Sequence, residues 1–259
     1  MADKISKVVI FAGGKGTRFA EMTKDTPKPL ITVNGEPIVL HIMRHFYAQG
    51  YREFILCLGY KADDFKRYFR DYYFHNRNVS LSPYGLKVHD SEQVENWTVH
   101  LVDTGADATT GQRLHLVRKL IGDSSFFLTY GDGASDVDLH AVEAKHNSLG
   151  RIATITSIPV QERFGILDVN EEGEVLRFAE KSDNTNALIN GGFIACSNEL
   201  LDYVSSDSGD FAYDVLTKLA DAGKLGSYLH NGFWKAMDTK KDRDDLEKIF
   251  KDHPEFLAR

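Results

Sequence analysis

An α/β fold with a doubly wound, mostly parallel sheet is the expectation for this chain of 259 residues. Three observations carry it. Short apolar runs rich in β-branched and aromatic residues alternate with amphipathic stretches of helical period. Glycine and proline punctuate the junctions. The repeated strand–helix unit is the pattern of a parallel sheet covered on both faces. Such sheets bind ligands at the carboxyl ends of their strands, where the strand order reverses.

Val8 to Ala12, led in by Ile5, is a continuous apolar run, as expected of a strand buried on both faces. A glycine-rich loop follows, then Pro37 at a first helical position and an amphipathic stretch capped by Gly50. Glu53 to Leu58 reads as the second strand, and Lys61 to Phe74 as a helix that sets Phe65, Tyr68, Phe69 and Tyr72 on one face. The aromatic stretch Tyr68 to Phe74 suits either core or an interface, core being the commoner use. After an irregular stretch at Ser82-Pro83-Tyr84-Gly85, Trp97 to Val102 is the third strand and Gln112 to Ile121 its helix. Ser125 to Tyr130 is the fourth strand, ending in Gly131-Asp132-Gly133.

Beyond about Arg151 the rhythm changes. Ile152 to Ile158, Gly165 to Val169, Val175 to Ala179 and Leu188 to Cys196 are strand-like, with Asn170-Glu171-Glu172-Gly173 as a turn. Helical patterns return at Tyr213 to Ala222 and Thr239 to Phe250. The expectation is one domain, 1–259, with a parallel half (1–150) and a partly antiparallel half (151–259), and no Pro- or Ser-rich linker between them.

Composition removes several classes. With 27% charged residues, 21 glycines and 6 prolines, the chain fits neither disorder nor a collagen-like repeat. No apolar run approaches the ~20 residues of a membrane helix, and the N-terminus lacks a signal-peptide core. A net charge of −7 speaks against coating nucleic acid. Cys57 and Cys196, the two cysteines, lie far apart in apolar segments, which excludes a disulfide scaffold or a four-thiolate zinc site. The expected compartment is the cytoplasm.

The richest segment is Ala12-Gly13-Gly14-Lys15-Gly16-Thr17-Arg18, followed by Pro27-Lys28-Pro29. A buried strand opening into three glycines lets backbone N–H groups approach phosphates closely. Arg18 adds a forked, permanently charged donor and Lys28 a point charge. The loop is not a P-loop, because Gly-Lys-Ser/Thr is absent. It is a poor dinucleotide fingerprint, because Phe19 stands at the third glycine position and no acidic residue ends the second strand. A tight turn remains the alternative. Elsewhere, Asp132 ends a strand between two glycines, and Asp238 precedes Thr239, where it could instead cap the last helix. The glycines at 191 and 192 could mark a bulge.

Taken together, Gly13 to Arg18 with Pro27 to Pro29 resemble the opening signature of the nucleotide-sugar pyrophosphorylases, a nucleotidyltransferase family. Leu101-Val102-Asp103-Thr104-Gly105, Thr110-Gly111-Gln112-Arg113-Leu114, Thr129-Tyr130-Gly131-Asp132-Gly133, Arg163-Phe164-Gly165, Glu180-Lys181, Ile189 to Phe193 and Gly232 to Thr239 follow in the family's order. The set looks most like the glucose-1-phosphate cytidylyltransferase branch. The resemblance implies a Rossmann-like fold and attack of a sugar-1-phosphate on CTP with loss of pyrophosphate. It also implies a homo-oligomer, a hexamer being one form.

By the same resemblance, Ala12, Gly13, Gly14, Gly16, Thr17, Arg18, Lys28, Thr109, Arg113 and Gly131 would bind nucleotide. Glu180, Lys181, Asn190, Gly191 and Gly192 would bind the sugar phosphate, Asp132 and Asp238 would hold Mg²⁺, and Arg18, Lys28 and Asp132 would carry catalysis. Such chemistry needs alignment and charge neutralisation rather than a general base. That suits a chain whose ten histidines form no evident catalytic arrangement. Phe211-Ala212-Tyr213-Asp214-Val215 departs from the Trp-Glu-x-Glu-Pro-like segment of that branch, and Phe19 to Thr23 departs from a more acidic run. The rivals are a transferase of the same fold with another nucleotide or acceptor, a non-catalytic nucleotide sensor, and, least of all, a hydride-transferring enzyme.

Overall fold

The computed structural model describes the chain apart from residues 1–4, 17–18, 20–22, 76, 90–94, 160–165, 171–173, 180–186 and 257–259. Strand β1 (Lys7–Phe11) is central, and its burial from Val8 onward matches the unbroken apolar run. β2 (Glu53–Leu58) pairs with it in parallel, and β3 (Thr98–Asp103) pairs in parallel with β2. β4 (Phe126–Tyr130) joins the opposite flank of β1, again in parallel. The remaining strands of this sheet are β5 (Ala153–Pro159), β6 (Leu188–Asn190), β7 (Ile194–Cys196) and β8 (Leu225–Leu229), and outside it Ile166–Val169 pairs antiparallel with Val175–Ala179, as expected. The order across the sheet is β6-β5-β7-β4-β1-β2-β3, with β8 pairing β5. β7 runs antiparallel to both β4 and β5, and β6 antiparallel to β5, whereas β8 is parallel to β5.

Among the described residues the α-helices are α1 (Ile38–Ala48), α2 (Ala62–His75), α3 (Thr110–Ile121), α4 (Leu139–Leu149), α5 (Thr217–Asp221) and α6 (Lys240–Asp252). A π-helical turn, Phe211–Leu216, leads into α5. Alternate residues of the central strands feed two cores. Val8, Ile10, Phe54 and Leu56 pack with Ile42, Met43 and Phe46 of α1 and with Phe65, Phe69 and Tyr72 of α2. Val9, Phe11, Ile55, Cys57 and Leu128 pack with Leu114, Val117 and Ile121 of α3. Both faces are therefore covered, as a doubly wound sheet requires. Cys57 and Cys196 are free and buried, and burial pushes the Cys57 thiol up to about 12. Among the described residues no helix is long and apolar enough to cross a membrane.

Helix α4 and strand β8 are additions to the expected elements, and four further details differ from expectation or resolve it. Pro37 is the extended residue before α1, not its first helical residue, because it ends the short strand Glu36–Pro37 paired with Thr32–Val33. The stretch around Pro83 is a hairpin, Val79–Ser82 against Gly85–Val88, exposed along both strands. Residues 188–196 form two strands rather than one, since Gly192 (φ 78°) and Phe193 (φ 45°) leave the pleat. The α2 aromatics Phe65, Phe69 and Tyr72 are core.

Candidate functional site

The sheet itself fixes where loops can meet. From β1 the chain winds through β2 and β3 on one side and then returns to β4 on the other, so the order reverses between β1 and β4. The two strand exits lie side by side there. The Gly131 amide donates to the Phe11 carbonyl at 3.0 Å. A Cβ at Gly131 would stand 3.0 Å from that same oxygen and 3.1 Å from Pro29 Cγ. Glycine is what lets the segment carrying Lys28 close against the end of β4.

Lys28 opens a 3₁₀ turn, Lys28–Leu30, with Pro27 before it in extended conformation. Its Nζ donates to Asp132 Oδ2 at 2.6 Å and to Asp238 Oδ1 at 2.7 Å. Asp238 arrives by a different route. Trp234–Ala236 pairs antiparallel with Gly133–Ser135, just beyond Asp132, and the Met237 amide donates to the Asp132 carbonyl at 2.9 Å. Thr239, not Asp238, caps α6: its hydroxyl accepts from the Asp242 amide, while Asp242 Oδ2 accepts from the Thr239 amide. The Asp238 carboxylate is thereby left for Lys28. Burial alone would lower the Lys28 ammonium, but the charges of Asp132 and Asp238 outweigh it and raise its pKa.

Two carboxylates within reach of one ammonium are hard oxygen donors in one place. Among the described residues no group of three or more His, Cys, Asp or Glu side chains is arranged for a metal. A pair of carboxylates fits Mg²⁺, which commonly keeps one or two of them and completes its shell with phosphate oxygens and water.

Arg113, expected along the triphosphate, is buried beneath the glycine loop. Its Nη1 donates to the Leu58 carbonyl (2.9 Å), Thr104 Oγ1 (2.7 Å) and the Gly105 carbonyl (2.8 Å), and its Nη2 to the Gly13 carbonyl (3.0 Å). One guanidinium thus ties together the exits of β1, β2 and β3. The glycines around it are shaped to it: a Cβ on Gly13 would stand 2.5 Å from Arg113 Cζ, and one on Gly59 would stand 2.5 Å from Nη1. Gly14 has open space where a Cβ would go. Gly16 has φ +60°, and a Cβ there would meet Thr23 Cγ2 at 2.8 Å. Lys15 pairs with Asp107 at 2.6 Å on the exposed rim. Ala12 is buried, its amide on the Cys57 carbonyl.

Thr109 caps α3 in a capping box with Gln112, and its hydroxyl donates to the Ser208 carbonyl at 2.6 Å. The start of α3 is docked on the 205–214 segment. The Gly111 amide donates to the Gly209 carbonyl, and a Cβ at Gly111 would stand 2.5 Å from that oxygen. Thr110 Oγ1 links the Asp210 carboxylate to the Phe211 amide.

The divergent Phe211 to Val215 segment therefore sits at the mouth of the same region. Asp214 in it accepts from the Gly209 amide and pairs with Lys218. Asn190 Nδ2 donates to Tyr130 Oη at 3.3 Å, and its Oδ1 accepts from the Gly192 amide. Burial pushes the Tyr130 phenol up to about 12. The Gly191 carbonyl accepts from Trp234 Nε1 at 2.7 Å, and a Cβ on Gly191 would strike Ile158 Cγ1 at 2.6 Å.

The main sheet, the 28–30 turn and the 133–135/234–236 ribbon thus bring Lys28, Gly131, Asp132 and Asp238 together, with Gly13 and Arg113 at the neighbouring strand exits. Thr17, Arg18, Glu180 and Lys181 lie outside the described residues. Sequence reasoning gave no role to Gly59, Tyr130 or Trp234. Gly59 was signalled only as the glycine directly after β2, and Tyr130 and Trp234 only as members of segments read for their aspartates.

Comparison with known proteins agrees with this architecture. Residues 7–244 match the family model described as nucleotidyl transferase. The glucose-1-phosphate cytidylyltransferases of Salmonella typhi and Salmonella typhimurium are each 40% identical over 247 residues, covering 94% of this chain and 95% of theirs. Among solved structures, HddC from Yersinia pseudotuberculosis superposes with a TM-score of 0.67 and 25% identity, over 95% of this chain and 100% of that one. With a family model spanning all but the two ends, and relatives at this identity over nearly full length, the chain belongs to the nucleotidyl transferase family.

Proposed function

We propose that the chain transfers the cytidylyl group of CTP to glucose 1-phosphate, forming CDP-glucose and pyrophosphate. The observation that carries the reading is the convergence of Lys28, Asp132 and Asp238 at the reversal of strand order, in a chain 40% identical to glucose-1-phosphate cytidylyltransferases. A phosphate oxygen of the sugar phosphate attacks the α-phosphorus of CTP. The bond from that phosphorus to the bridging oxygen breaks, and the electron pair leaves with pyrophosphate. The nucleophile is already anionic, so no proton has to move, and the protein's task is alignment and charge neutralisation.

The loop Ala12 to Gly16, with Thr17 and Arg18, would cradle the triphosphate through backbone N–H groups and cationic side chains. Lys28 would meet the developing negative charge of the leaving group. Arg113 would act on that loop through the Gly13 carbonyl rather than by touching phosphate, and Thr109 would hold the start of α3 at its side. Gly131 lets the exits of β1 and β4 lie side by side, so that the loop and Lys28 would reach one phosphate chain. Asp132 and Asp238 would hold Mg²⁺, which when bound neutralises phosphate charge. Asn190, Gly191 and Gly192 would meet sugar hydroxyls, and Glu180 and Lys181 the sugar phosphate. A net charge of −7 is no obstacle, because the reading needs only a few of the chain's 31 lysines and arginines, Lys28 among them at the sheet edge. We assign the enzyme to the cytoplasm, working as a homo-oligomer.

The test is pyrophosphate release from purified protein with each nucleoside triphosphate against a panel of phosphorylated acceptors. CTP with glucose 1-phosphate should give the highest kcat/KM. No release with any pair would refute the reading. One observation favours a second acceptor: the Asp214 carboxylate is held by the Gly209 amide and Lys218, which leaves Tyr213 as the exposed side chain of that segment. Higher kcat/KM with a different phosphorylated acceptor would select that reading.

A further inference from the structure

Lys28 does more in this structure than wait for phosphate: its ammonium bridges the two carboxylates that a divalent cation would need. The pair is only partly buried, with side-chain exposures of 30% for Asp132 and 46% for Asp238, while Lys28 is 12% exposed. Two carboxylates held this close repel, and a cation between them relieves the repulsion. Lys28 supplies that cation from within the chain.

We infer that Lys28 is a built-in counter-ion that closes the Asp132–Asp238 pair to free divalent cations and opens it when a triphosphate arrives. The inference rests on the reading of Asp132 and Asp238 as the cation's ligands. The charge arithmetic gives the direction. The side chains of Lys28, Asp132 and Asp238 sum to −1, so a divalent cation entering alone would leave the cluster at +1 with its ammonium stripped of both partners. A triphosphate changes the balance, because its oxygens accept the ammonium at the moment the carboxylates are needed elsewhere. Lys28 is long and unbranched and can turn from carboxylate to phosphate without backbone movement.

Binding of divalent cation and of nucleotide is then strongly and reciprocally coupled through one side chain. The chain gains a stable resting state with no bound ion, and the carboxylates engage a cation only when there is phosphate for it to neutralise.

The test uses Mn²⁺ as the probe and reads its binding by paramagnetic resonance, with no turnover involved. Mn²⁺ alone should bind the unchanged protein weakly, and CTP should tighten it by at least tenfold. Lys28→Met should bind Mn²⁺ alone at least tenfold tighter than the unchanged protein, with the CTP-dependent gain reduced. Lys28→Met/Asp132→Asn should return to the weak level. Lys61→Met removes one positive charge elsewhere on the chain without touching either carboxylate, and should leave Mn²⁺ binding within about twofold; an equal gain there would overturn the inference as mere net charge. No gain in Lys28→Met, while Asp132-dependent Mn²⁺ binding persists with CTP, overturns the inference and spares the ligand assignment. Mn²⁺ binding that never depends on Asp132 overturns the assignment itself, and the inference with it.

Discussion

Gly13→Ala separates two reasons for a glycine in the loop after β1. If residue 13 is small only so that phosphate can approach, a methyl group there is harmless while no nucleotide is bound. Alanine would even stabilise the free protein by about 0.4–1 kcal/mol, through the smaller entropy of the unfolded chain. The geometry says otherwise. The three nearest atoms to such a methyl all belong to Arg113, with Cζ at 2.5 Å and Nε at 2.9 Å. That guanidinium cannot retreat easily, because it is tied to the Leu58, Gly105 and Gly13 carbonyls and to Thr104.

Overpacking of a buried site of this kind costs about 1–3 kcal/mol. For a domain of this size each kcal/mol lowers Tm by about 2–4 °C. The nucleotide-free protein should therefore lose about 2–12 °C in a thermal melt. Gly14→Ala is the internal control, since nothing lies within 4 Å of its methyl, and its Tm should stay or rise. In the double-mutant cycle, Arg113→Met removes the two atoms closest to the Gly13 methyl, Nη1 and Cζ. The two changes should then be less than additive by about 1 kcal/mol or more. A Gly13→Ala protein as stable as the parent, or strict additivity with Arg113→Met, would refute the reasoning.

Asp238 and Thr239 are neighbours with separable duties. Asp238→Ala should cut pyrophosphate release by at least a hundredfold and move Tm little, whereas Thr239→Ala should cost about 1 kcal/mol of stability through loss of the α6 cap; the reverse pattern would show that Asp238 is the structural residue. Gly59→Ala should destabilise by about 1–3 kcal/mol through contact with Arg113 Nη1, a melt unchanged from the parent being the contrary result. His41, His45 and His146 all have their pKa lowered by burial. The unfolded chain therefore binds more protons than the folded one as pH falls through about 6.5. Stability should drop between pH 7 and 5, and melts that rise over that interval would contradict the assignment.

The parallel half was legible because its signals are local. Val8 to Phe11 is buried along its length, so the apolar run is unbroken, and the α2 aromatics repeat at helical spacing because one face packs on the sheet. The hairpin at 79–88 was also written in the chain: Val79-Ser80-Leu81-Ser82 and Gly85-Leu86-Lys87-Val88 alternate, with Pro83-Tyr84 between them. Its pairing is weakly signalled because the alternation is short and both strands are exposed. Residues 188–196 read as one strand because nothing in their polarity shows that Gly192 and Phe193 take positive φ. The site was legible only in part. Lys28, Asp132 and Asp238 are each ordinary residues in sequence, and only the fold supplies their proximity. Arg113 is given to the nucleotide by the family resemblance, while its partners in the structure are the Thr104 hydroxyl and three backbone carbonyls, and backbone carbonyls have no signature in sequence.

The ribbon that carries Asp238 to Asp132 has a consequence for the making of the protein. Lys28 contacts partners 104 and 210 positions away in the chain, and the second cannot be met until residue 238 has left the ribosome. Strands β1, β2 and β4 can assemble long before that, since domains begin to organise during synthesis. A nascent chain that stops short of residue 238 lacks one of the two carboxylates that Lys28 bridges. Competence for chemistry therefore waits on residue 238, and substrate binding by ribosome-bound intermediates of increasing length would report the moment at which it is reached.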